Sequence, residues 1–153
     1  MSTDYPLLKE QIKAFAEADA WYVPFLSNTA ALLYQSLPDI NWAGFYLMRG
    51  GRLVLGPFQG NPACIHIGIG KGVCGTAVQE RRVLRVPDVH QFPGHIACDS
   101  ASRSEIVLPL EKDGVIFGVL DIDSPIPDRF SEEDEAGLTE AAAVIRESIM
   151  IDL

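Results

Sequence analysis

The chain has 153 residues, 48% of them hydrophobic, and 21 acidic against 12 basic side chains give it a formal net charge of −9. That length fits one domain spanning residues 1–153 with no room for a second. The acidic balance, with no basic run longer than Arg81-Arg82, speaks against a nucleic-acid partner or an anionic membrane surface.

Near the N-terminus Lys9, Glu10, Lys13 and Glu17 interrupt the apolar positions, so no signal-peptide core forms, and no stretch has the length and apolarity of a transmembrane helix. Three cysteines without an export signal lead to the expectation of a cytoplasmic protein, where a permanent disulfide framework is improbable.

From Tyr5 to Leu37 apolar residues recur at helical spacing, first Leu8, Ile12, Phe15 and Ala16, then Phe25, Leu26, Ala30 and Leu33. Pro24 and the pair Ser27-Asn28 punctuate the run, which predicts two helices broken near 21–26. Residues 40–47 alternate and are rich in aromatics; after Arg49-Gly50-Gly51, a second strand over 52–58 completes a hairpin. A short strand is expected at 65–69, a helix at 75–80 and a strand at 83–86, with a long loop over 88–104 that is a natural carrier of function. Strands at 105–110 and 115–122 flank Glu111-Lys112-Asp113-Gly114, a strong hairpin signal. A last helix begins at Ser131, with Asp134 three residues on as a weak capping box, and repeats apolar residues at Leu138, Ala142, Ile145 and Ile149. These elements describe an α+β domain, with N- and C-terminal helices packed on one face of an antiparallel sheet and a ligand pocket on the other.

Cys64, Cys74 and Cys98 show neither a CxxC pair nor zinc-finger spacing, and His66, His90 and His95 are scattered, so no metal site is expected. Cys98 lies in a polar loop with His95 and Arg103 nearby, a setting that lowers a thiol's pKa, against which Asp99 acts. Cys74, between Val73 and Gly75, reads as a small core residue, and Cys64 follows Pro62 in a loop. Glu105, Asp121 and Asp123 are acids in otherwise apolar strands. Alternation places Asp121 and Asp123 on one sheet face, and a hairpin partner at Glu105 would bring three carboxylates together, raising at least one pKa. A solvent-facing polar side of the sheet is the ordinary alternative. Trp42 and Tyr46 share a face across Gly44, as a ligand wall with an open middle or as core packing.

The segments 40–46 (INWAGFY), 56–60 (GPFQG), 70–75 (GKGVCG) and 118–123 (GVLDID) resemble the GAF-domain family, and with the three cysteines they resemble its free methionine-(R)-sulfoxide reductases. The likeness runs from about residue 20 to the C-terminus. It implies reduction of free L-methionine-(R)-sulfoxide by an oxidoreductase with no bound cofactor. Cys98 matches the nucleophile that is left as a sulfenic acid, and Cys64 the thiol that resolves it to a disulfide, with thioredoxin as the external reductant. Cys74 matches a third, ancillary or second resolving thiol. Glu105 and Asp123 correspond to the pair that polarises the sulfoxide, Asp121 to a partner of the substrate ammonium, and Trp42, with Tyr46 on its wall, to the residue holding the terminal methyl. Backbone amides of loop 96–98 would bind the α-carboxylate. The resemblance further implies a homodimer, although the sheet could equally consume the apolar helix positions. Two rival readings use the same residues: a small-molecule GAF sensor without catalysis, and a thiol redox sensor without a substrate pocket.

Overall fold

In the computed structural model, residues 2–95 and 100–152 are described, and they form one curled antiparallel sheet between helices. The chain runs through α1 (Tyr5–Ala18), α2 (Tyr22–Ser36), β1 (Trp42–Arg49), β2 (Arg52–Gly60), β3 (His66–Ile67), α3 (Gly72–Glu80), β4 (Leu84–Val86), β5 (Ser104–Lys112), β6 (Val115–Ser124) and α4 (Glu132–Ser148). Strand order is β3-β2-β1-β6-β5-β4, so β1 and β6 form the centre although 65 residues separate the end of one from the start of the other. None of the described helices is long and apolar enough to cross a membrane.

The two hairpins form where the turn chemistry demands. Gly50-Gly51 and Asp113-Gly114 each have positive φ at both central positions, the backbone that matches the twist of paired strands. The helix break differs from expectation: it falls at 19–21, not 21–26. Pro24 is the third residue of α2, where the missing N–H would have had no helical acceptor, so proline is tolerated there and does not interrupt the helix. What ends α1 is Asp19, whose backbone turns extended and whose carboxylate accepts from the Trp21 N–H at 2.9 Å. Likewise α3 begins at Gly72, earlier than the expected 75, and β3 is cut to two residues, paired only with Leu53 and Val54 of β2.

Two apolar layers sandwich the sheet. On one face Ile12, Leu26, Leu33, Leu138 and Ile145 of α1, α2 and α4 pack against Phe45, Ile106, Leu108, Leu120 and Ile122 of the sheet. Each such side chain, fully buried, contributes about 1.5–3 kcal/mol. The opposite face carries a smaller layer, in which Val73, Cys74 and Ala77 of α3 meet Trp42, Tyr46, Val107 and Val119. The second face is therefore partly roofed by α3, and only the remainder is open to a ligand.

The start of α4 is tied to α1 by a buried polar clasp. Ser131 and Asp134 form a complete capping box, stronger than the weak one expected, and Tyr5 Oη donates to Asp134 Oδ1 at 2.6 Å. Asp134 Oδ2 also accepts from Arg129 at 2.9 Å. Burial pushes the Asp134 carboxyl up, but the Ser131 and Tyr5 hydrogen bonds and the Arg129 charge outweigh it and hold the group below its ordinary value. A carboxyl lowered on folding stabilises the protein above its unfolded pKa, and this contribution disappears as pH falls through the folded value. Asp134→Asn is therefore expected to lose stability at neutral pH and to flatten the acid side of a urea-stability profile below about pH 4. Gly137 faces the same tyrosine, and a β-carbon there would overlap the Tyr5 ring. Gly137→Ala, ordinarily a gain in a helix, is expected to destabilise by about 1–3 kcal/mol in urea denaturation.

Candidate active site

Register builds the site. Trp42 of β1 pairs with Asp123 of β6, which pairs with Glu105 of β5; one step along, Gly44 pairs with Asp121, which pairs with Val107. Residues two apart share a face, so Glu105, Asp121 and Asp123 all lie on the side opposite the main helical layer. Their neighbours Ile106, Leu120 and Ile122 point into that layer. All three acids are buried, at 7%, 5% and 9% exposure, which decides against a solvent-facing polar strand side.

The cleft over them is lined by Trp42, Tyr46, Ala63, Ile67, the start of α3 at Lys71 to Cys74, His95, Ser102 and the three carboxylates. Cys74 is buried and free, and its Sγ donates to Glu105 Oε2 at 3.9 Å. Its thiol is pushed well up by burial and then by Asp121, Glu105 and Asp123, so it holds its proton. Cys64 is disulfide-bonded and half-buried, and its carbonyl accepts from Tyr46 Oη at 3.1 Å, so its segment is tied to the sheet. Cys98, and the amides of loop 96–98, lie outside the described residues.

Burial dominates the electrostatics. Glu105 is raised well above the ordinary carboxylate value by desolvation, then by the Asp121 charge, and Asp121 is pushed up to about 8 by desolvation and the Asp123 charge. At neutral pH the cluster thus retains protons that carboxylates in water would have lost, which makes it a proton donor. His95 at the rim is lowered by burial and by His90. The donor atoms of Cys74, Glu105 and Asp121 lie within 4.8 Å of one another, an arrangement three-dimensional folding creates and cysteine spacing did not announce.

Of the two readings left open for Trp42, Tyr46 and Gly44, an open-centred wall or core packing, the middle of the wall is packed. Trp42 stacks on Tyr46 with centroids 5.8 Å apart, and on Phe58 at 5.1 Å. Gly44 leaves no vacancy for a ligand: a β-carbon there would overlap that of Phe58, so the missing side chain admits the neighbouring strand. Trp42 is further held by its indole N–H donating to the Asn61 carbonyl at 3.1 Å. Lys71 and Ser102 also line the cleft and were not singled out from the sequence. Lys71 sits in the Gly70-Lys71-Gly72 run whose glycine density was the available signal; Ser102 had none, because its place depends on Asn41, which donates to its hydroxyl at 3.2 Å from the start of β1.

A GAF-domain family model matches residues 10–149. The free methionine-R-sulfoxide reductase of Escherichia coli (strain K12) is 55% identical over 139 residues, 91% of this chain and 84% of that one. The chain belongs to the free methionine-R-sulfoxide reductases of the GAF-domain family. Two solved free methionine-R-sulfoxide reductases show the same fold. The reduced form from Staphylococcus aureus superposes with a TM-score of 0.94 at 54% identity over 97% of each chain. The enzyme from Neisseria meningitidis, solved in complex with its substrate, superposes with a TM-score of 0.91 at 41% identity, covering 97% of this chain and 92% of that one.

In this member of the family, the buried acids oppose folding. A carboxyl raised from 3.8 to about 8 binds a proton in the folded state that the unfolded chain has released, so stability falls as pH rises through that window. Asp121→Asn removes this penalty. It is expected to exceed the parent in stability above about pH 8 by on the order of 1 kcal/mol or more, with the gap closing toward pH 4, in melting curves taken across pH.

Proposed function

We propose that the protein reduces free L-methionine-(R)-sulfoxide to L-methionine, with Cys98 as nucleophile and Cys64 as resolving thiol. The observation that carries this reading is the row Trp42–Asp123–Glu105, which sets an aromatic side chain beside two buried carboxyls, of which Glu105 is raised well above the ordinary carboxylate value by burial and the Asp121 charge. Names and solved complexes of the relatives point the same way.

A sulfoxide oxygen leaves sulfur poorly unless it is protonated or strongly hydrogen-bonded, and the acid must stand where water does not compete. Glu105, protonated and facing the cleft, donates to that oxygen, and Asp123 beside it helps to polarise the S–O bond. The Cys98 thiolate attacks, the oxygen passes to the Cys98 sulfur, methionine departs and Cys98 is left as a sulfenic acid. The Cys64 thiol condenses with it to a disulfide, releasing the oxygen as water, and thioredoxin's dithiol returns both sulfurs to thiols. Cys64 is disulfide-bonded while Cys74 is free, and this reading requires Cys98 as the partner. The protonated, buried Cys74 is unsuited to the resolving role.

Asp121 takes the substrate ammonium, whose arrival lowers its carboxyl pKa and ionises it. Trp42, with Tyr46 at its flank, receives the terminal methyl and so sorts the R from the S epimer by shape. Amides of loop 96–98 bind the α-carboxylate, which restricts the substrate to the free amino acid.

The purified protein is to be incubated with free methionine-(R)-sulfoxide, the free S epimer and a peptide-bound sulfoxide, each with a dithiol. Methionine is expected from the free R form alone. Loss of turnover by at least about a hundredfold is expected in Cys98→Ser and in Glu105→Gln. Cys64→Ser is expected to give one stoichiometric turnover and then stall with thioredoxin, whereas Cys74→Ser continues to cycle. Undiminished turnover in Cys98→Ser would sink the assignment.

A further inference from the structure

Cys74 has no step in the proposed reaction, yet it is buried beside two of the three acids and its thiol faces Glu105. Together these groups form a constellation that sulfoxide binding alone does not require. The structure assigns to Cys74, Glu105 and Asp121 a three-donor site for a thiophilic divalent cation of the zinc class, occupied in competition with the substrate.

Three observations carry it. The thiol sulfur and one oxygen of each carboxylate lie within 4.8 Å of one another, with Sγ and the Glu105 Oε2 at 3.9 Å. A tetrahedral zinc ion, with bonds of about 2.3 Å to sulfur and about 2.0–2.2 Å to oxygen, holds its donors roughly 3.5 Å apart, so the set has little more than about 1 Å to close. Asp121, 5% exposed, lines the cleft; its carboxyl is hydrogen-bonded to Glu105 and Cys74, while its Oδ1 has no partner. A buried carboxylate oxygen left unpaired is unfavourable, and a cation in the cleft would satisfy it. Finally, the donors come from α3, β5 and β6, elements that the core holds in place, so the set is organised before any ion arrives.

Donor chemistry selects the class of ion. One thiolate and two carboxylates suit zinc, with the open cleft leaving the fourth position to water, whereas calcium and magnesium require six or more oxygen ligands. The ion's charge replaces the protons now held by the thiol and carboxyls, which leave on binding. Lys71, exposed at the mouth of the same cleft, is the opposing charge. Because Glu105 and Asp121 are also the groups proposed for the sulfoxide and the ammonium, an ion held there excludes the substrate.

Cobalt(II), a spectroscopic stand-in for zinc, tests the site directly. In Cys64→Ser/Cys98→Ser protein Cys74 is the only thiol, and cobalt titration is expected to give one ion per chain with a thiolate-to-cobalt charge-transfer band in the near ultraviolet. That band is expected to vanish in the further Cys74→Ser variant, and affinity to fall at least about tenfold in Asp121→Asn and in Glu105→Gln, each first shown to be folded by its melting curve. Absence of the band in folded Cys74-only protein, or undiminished binding in both carboxylate variants, would overturn the site. These binding arms need no turnover, so they stand or fall separately from the sulfoxide reaction. In single-turnover assays of enzyme pre-reduced and then freed of added dithiol, zinc is expected to raise the half-saturating sulfoxide concentration and leave the limiting rate unchanged. A lowered limiting rate with unchanged half-saturation would overturn the competition.

Discussion

The structure depends on keeping three carboxylates dry on the two strands beside its central aromatic residue. In water Glu105, Asp121 and Asp123 would be ionised and mutually repelled. Here they are buried on one face of β5 and β6, and the resulting desolvation holds protons in the cluster. Such an arrangement opposes folding, and the opposite face of the same strands compensates for it. Ile106, Leu120 and Ile122 alternate with the acids and enter the apolar layer under α1, α2 and α4. One strand thus supplies stability through its even-numbered residues and chemistry through its odd-numbered ones.

The cleft is small because the second face is only partly open. α3 covers part of it, bringing Cys74 to Glu105, and Tyr46 ties the Cys64 carbonyl to β1. The cysteines consequently have unlike environments. Cys64 is disulfide-bonded at a half-buried loop held against the sheet, whereas Cys74 is a protonated thiol enclosed with acids. A thiol in the second setting is a poor nucleophile but, once deprotonated by a metal ion, a good ligand.

Family membership places these features on a fold shared with solved sulfoxide reductases, and the local register explains what the fold provides. The order β1-β6-β5 aligns Trp42, Asp123 and Glu105 across three strands, so aromatic wall and acids are neighbours without any loop having to position them. Sites built on paired strands are held more closely than sites on loops, which suits a reaction that needs an acid beside one oxygen atom.

How much of this was legible in the sequence differs from residue to residue. Period-two alternation was enough to put Asp121 and Asp123 on one face, and Asp113-Gly114 was enough to pair their strand with that of Glu105, because both are local rules of backbone geometry. Local rules misplaced the break at Pro24, whose effect depends on its position within the helix's first turn, and left open the use of Gly44, whose missing side chain makes room for Phe58. The family, the kind and order of the main elements, though not all their bounds, and the choice of candidate cysteines and acids were therefore determined by the sequence alone. Burial of the acids, the pairing of β1 with β6, the approach of Cys74 to Glu105 and the places of Lys71 and Ser102 in the cleft were decided only by the tertiary structure. Each is a contact between segments far apart in the chain, and desolvation, which governs their chemistry, belongs to the packed molecule and not to any residue within it.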